Sequence, residues 1–196
     1  DDGEFLFEAN DLALDLVNTE RMRDDERADL LTDVAALGRW LSAARLPSEA
    51  ADDEALAEAR RLRGAVRDAA GALADGQPVP GAALDTLNGL LRRRTGYEQV
   101  EPADGDRRYA RRFVDTSPAA VRLLAPVADA AARLLTEADP ARVRRCENPR
   151  CIRFYYDTSK NHTRRWCSMA ACGNRAKAAA HYARVRAEKA EKSARG

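Results

Sequence analysis

Aromatic side chains make up only 6% of this 196-residue chain. Its apolar content of 45% is weighted towards alanine, so any core is thin and helix-borne. No stretch approaches the ~20 consecutive apolar residues that a membrane-spanning helix needs. The acidic opening DDGEFLF has neither the basic nor the apolar region of a signal peptide, and the expected location is the cytoplasm. Gly-rich phosphate loops, an HExxH motif and a Cys–His nucleophile pair are all missing, so no enzyme activity is expected. The acidic run Asp24, Asp25 and Glu26 reads as surface. Cysteine occurs four times, and every one lies between residues 146 and 172.

Charge is present in quantity but unevenly placed. From Arg142 to Gly196 there are 15 Lys and Arg against 4 Asp and Glu; the remainder carries 18 against 28. An acidic body followed by a basic C-terminal third points to a polyanionic partner at that end, or else to a basic helix that is merely solvated.

The body reads as helices. Leu12, Leu16 and Val17 share a face after an Asn10 or Asp11 cap, and Thr32 would cap a second helix carrying Val34, Leu37, Trp40 and Leu41. A long helix is predicted from about Asp52 to Ala74, closed by Gly76, and another opens at Pro80 and stops by Gly96. The period then changes. Tyr97, Val100, Tyr109, Phe113 and Val114 flank Asp104–Gly105 as one β-hairpin, despite Pro102. Ser117–Pro118 starts a further helix that contains Pro126, a potential kink.

Cys146-x4-Cys151 and Cys167-x4-Cys172 form two pairs separated by fifteen residues. Two thiolates from each of two turns, facing one another across a loop, are what a tetrahedral zinc requires. Disulfides and an iron–sulfur cluster are the alternatives, and neither suits a chain without signs of secretion as well as a closed zinc site does. His162 and His181 are left over as non-ligands. Around the metal, IRFYY and RRWC would pair as two strands joined by DTSKN, and Ser168 would cap a final helix that holds Cys172. The result is treble-clef-like. Arg164, Arg165, Arg175, Lys177, His181, Arg184 and Arg186 would form a basic surface able to meet DNA phosphates or the major groove. For Arg164 and Arg165 the competing reading is pairing with the acidic body. Asn18, polar on an apolar helix, is the one candidate for a ligand pocket.

RRWCSMAACGNRAK resembles the signature of the CGNR zinc finger family, whose four naming residues stand here as Cys172, Gly173, Asn174 and Arg175. LALDLVNT, Leu12 to Thr19, resembles the start of the ABATE domain that precedes this finger in stress-induced transcription regulators. The resemblance implies a bacterial regulator, with residues 1–141 as an ABATE-like helical domain, 142–187 as the finger and 188–196 as a basic tail. It implies Zn2+ as cofactor and double-stranded DNA as partner, with the N-terminal domain sensing a small-molecule effector or forming a homodimer. The alternative function is a small-molecule-binding or protein/RNA-docking protein in which the finger is a structural module. The fold expected is mainly α with a small β-hairpin, and chelation is expected to unfold the C-terminal third while sparing the body.

Overall fold

The computed structural model describes residues 5–23, 25–103, 105 and 108–194, with side chains described through residue 187. Aspartates start the first three helices. Asp11 accepts the N–H groups of Ala13 and Leu14 at the head of α1 (Leu12–Val17). Asp33, not Thr32, caps α2 (Val34–Ala43) by accepting from Ala36 at 2.7 Å; the Thr32 hydroxyl instead donates to Asp33. Asp52 does the same for α3 (Asp53–Ala74), whose end is closed by Gly76 at φ +63. Prolines precede α4 (Gly81–Arg92) and α5 (Ala119–Thr136), where a missing N–H costs nothing. α5 runs through Pro126 without ending.

α3 is the hub. It packs against α1, α2, α4 and α5. Leu62, Ala59, Val66 and Ala70 lie on its buried side, facing a core that includes Leu14, Leu41, Leu87 and Leu124. Each fully buried leucine there contributes about 1.5–3 kcal/mol. Arginines of α3 also tie down the segment after α1. Arg63 is buried and grips Asp29 with both terminal nitrogens, at 2.5 and 2.7 Å, while contacting Thr19 and Glu20. Arg67 donates to the Val17 carbonyl and pairs with Glu20.

Those contacts hold a hairpin that the sequence pattern does not reveal. β1 (Glu20–Arg23) and β2 (Glu26–Asp29) pair antiparallel in the region of the acidic run; Asp24 itself lies outside the described residues. The expected hairpin is present as β3 (Gly96–Pro102) and β4 (Tyr109–Asp115). Gly105 has φ +83 at its turn, while Asp104 is outside the described residues. Gly96 is required by close approach, because a Cβ there would run into the Phe113 ring and lie 2.5 Å from the Val114 carbonyl oxygen.

A third hairpin corrects the expected finger. β5 (Val143–Arg145) pairs with β6 (Phe154–Tyr156), whereas residues 164–167 form no strand. β6 is used up by β5 on one side and by the N-terminal segment on the other, where the Tyr156 N–H donates to the Ala9 carbonyl at 2.7 Å. The chain closes with a π-helical turn, Met169–Gly173, leading into α6 (Asn174–Ala194). Ser168 caps that turn by accepting from Ala171, as expected. The hydrophobic core is continuous from Leu14, Leu16 and Val17 to Phe154, Tyr155 and the cysteines.

Candidate metal centre and basic helix

The first cysteine pair comes from the loop between β5 and β6, the second from the turn into α6. Backbone bonds set their positions. The Cys146 N–H donates to the Arg153 carbonyl, Cys151 to Asn148, and Glu147 to Arg165, which stitches the two loops together. All four sulfurs lie within 4.8 Å of one another. Cys151 and Cys172 each stand 3.7 Å from Cys167. A tetrahedron with Zn–S bonds of ~2.3 Å has edges of ~3.8 Å, whereas a disulfide needs ~2.05 Å. The cysteines are free thiols at metal spacing, three buried and Cys151 half-buried.

Left to themselves the sulfurs compete for protons. Hydrogen bonds from Cys151 and then Cys167 hold the Cys146 thiol well below its usual range. Contact with Cys146 pushes Cys151 and Cys167 up, and burial adds to it. A divalent cation is what lets four such groups ionise together. Two donors already face the thiolates. The Cys167 N–H points at the Cys146 sulfur at 3.4 Å, and the Arg175 guanidinium reaches the Cys172 sulfur at 3.7 Å. The set is soft, closed and supplied with outer hydrogen bonds, as structural zinc demands. The cluster is a zinc site.

Gly173 serves the fold through close packing. A Cβ there would meet the Met169 sulfur at 2.7 Å and Trp166 at 3.2 Å. The Asn174 amide donates to the Ala170 carbonyl. His162 sits at φ +52 in the turn after β6, and His181 is exposed on α6.

The basic residues divide. Arg164 is a brace. Its guanidinium donates to the carbonyls of Trp166, Cys167 and Glu8, and lies 4.3 Å over the Tyr155 ring. The Tyr155 hydroxyl in turn donates to the Arg164 carbonyl at 2.5 Å. Buried Asp157 accepts the N–H of Ser159 and Arg164; burial raises its carboxyl, but these bonds outweigh it and hold it below the usual range. Arg165 pairs with Glu147 at 2.5 Å, within the finger, and covers Trp166. Among the described residues, neither arginine meets a carboxylate of the body. Arg145, which nothing in the sequence singles out, does so: it bonds Asp75 at 2.7 Å and caps the carbonyl end of α3 at Gly71.

Lys177, His181, Arg184 and Arg186 are exposed along α6. Spacings of four and three residues put Lys177, His181 and Arg184 in one stripe. Arg175 and Arg186 share another, roughly opposite at about 100° per residue. The expected single basic surface is therefore two stripes on one helix, without Arg164. α6 packs chiefly on the π-helical turn before it, and Lys177, His181, Arg184 and Arg186 are exposed.

Asn18 is buried and bonded within the fold. It closes α1, and its buried amide is taken up on both sides by the backbone of Phe154. The sequence signal was a polar residue on an apolar face; the partner, 136 residues away, was not legible.

Comparison with known families yields two matches. The model for ABATE, described as "putative stress-induced transcription regulator", matches residues 10–138. The model for the CGNR zinc finger matches residues 142–185. No curated protein matches the chain.

Proposed function

Because the chain belongs to the ABATE family and carries a CGNR zinc finger, we propose that it is a transcription regulator that binds duplex DNA through α6. In this reading it acts by binding and is not an enzyme. The observation that carries the reading is the exposed stripe of Lys177, His181 and Arg184, held on a helix whose base is anchored by the zinc cluster. A helix of this kind fits the major groove, and its cations replace phosphate counterions. The metal's part is structural: it fixes the direction in which α6 leaves the body. Arg164, bonded to Glu8, and Arg165, paired with Glu147 within the finger, serve that anchoring and do not contact DNA.

The test is binding to duplex DNA at several salt concentrations. Lys177→Ala with Arg184→Ala is expected to weaken binding at least tenfold and to reduce the salt slope by about one unit for each phosphate that is no longer neutralised. Retention of wild-type affinity by that double variant, with zinc bound and fold intact, would overturn α6 as the DNA reader.

A further inference from the structure

Between the β1–β2 hairpin and the finger lies a cleft of about 570 Å³. Among the described residues its walls carry four guanidinium groups and no carboxylate: Arg21 and Arg23 from β1, Arg153 from the residue before β6, and Arg175 from α6. Arg23 makes other contacts of its own, so Arg21, Arg153 and Arg175 carry the site. Arg153 is only 8% exposed, and among the described residues its side chain has no hydrogen bond or ion pair. A guanidinium keeps its charge, and with no described carboxylate in the lining, that charge is open to an anion in the cleft.

The zinc–thiolate cluster, with its net charge of −2, is an internal counterion. It engages Arg175, through Cys172. It makes no such contact with Arg153 or Arg21, and two cations are left facing the cleft. The volume lies in the range of small-molecule sites, ~300–1,000 Å³. Converging guanidinium forks match the oxygens of a phosphate group, two bonds to each. We propose that this cleft binds a small phosphate-bearing anion, with Arg21, Arg153 and Arg175 as its ligands. The site joins the ABATE segment to the first turn of α6, so its occupant touches both family units at once. This goes beyond the DNA-binding reading and does not depend on it.

The test is calorimetric titration of pyrophosphate into the zinc-loaded full chain, in buffer matched in ionic strength with chloride. One saturable site is expected. Arg153→Gln and Arg21→Gln should each weaken it at least tenfold, and Arg111→Gln, on the distant β3–β4 hairpin, should leave it unchanged. If Arg153→Gln fails to fold, Arg21→Gln alone decides. Absence of saturation in matched chloride would overturn the proposal, as would wild-type affinity in the Arg21 and Arg153 variants. A parallel titration with duplex DNA separates the two sources of phosphate. If Arg21→Gln weakens duplex binding while pyrophosphate never saturates, the cleft holds the DNA backbone and the small-anion site is overturned. The pyrophosphate arm contains no DNA, so failure of α6 as a DNA reader leaves its outcome untouched.

Discussion

The Asn18 side chain pairs with the backbone of Phe154 as another strand would. Its Nδ2 donates to the Phe154 carbonyl at 2.8 Å, and the Phe154 N–H donates to its Oδ1 at 3.0 Å. One side chain thus satisfies both backbone groups of a buried residue and joins the end of α1 to the strand between the two zinc loops. Asn18→Ala leaves a buried donor and a buried acceptor without partners. The expected cost is on the order of 2–4 kcal/mol, read as a lower urea midpoint. An unchanged midpoint would show that water takes over the amide's role.

Metal removal should reach the helical body. Phe154, Tyr155, Cys146 and Cys172 lie in the same core as Leu14, Leu16 and Val17, so the finger is expected to unfold together with part of the body. The chain has two tryptophans; Trp40 is buried in α2 and stacks on Phe7, while Trp166 lies in the finger. In a Trp166→Phe variant, Trp40 reports on the body alone. Chelation is expected to lower its urea midpoint, by part of the ~10–16 kcal/mol that zinc contributes in isolated fingers. A midpoint indifferent to chelation would mean that the shared core does not couple the two parts.

Stability should fall between acid and neutral pH because of Asp15. The residue is buried on α1, and burial pushes its carboxyl from the ordinary 3.8 up to about 7. The folded chain then holds a proton that the unfolded chain releases near pH 4. The contribution is full below that pH, declines as pH rises to about 7, and stays lost above it. Asp15→Asn keeps an acceptor for the Ala9 N–H and removes the slope. At pH 8 it should be more stable than the wild type, on the order of 2–4 kcal/mol. Equal pH profiles for the two proteins would rule Asp15 out as the source.

Arg164 and Arg184 should behave in opposite ways when truncated. Arg164 donates to three carbonyls and covers Tyr155, so Arg164→Ala should cost on the order of 2–4 kcal/mol in stability and weaken zinc retention. Arg184 is exposed on α6, and Arg184→Ala should change stability by less than ~0.5 kcal/mol. A chelator-competition assay together with thermal melts separates them. Similar melting losses in both variants would contradict this division of roles.

Local chemistry was legible along the chain. Asp11 caps α1, α3 begins beside Asp52 and is ended by Gly76, and the β3–β4 hairpin lies where the period of two begins. The four cysteines could be assigned to one metal from spacing alone, because a thiolate pair per turn is a local device. What spacing could not supply was the partner of each polar group. RRWC is the expected strand partner of IRFYY, yet β6 pairs with Val143–Arg145, whose Val143 is buried in the shared core. The β1–β2 hairpin has little apolar signal; it is held by Arg63 and Arg67, which reach over from α3. Arg164 and Arg184 look alike in sequence. Only the fold places one against Glu8 and Tyr155 and leaves the other in solvent, because burial and pairing are set by residues far away along the chain.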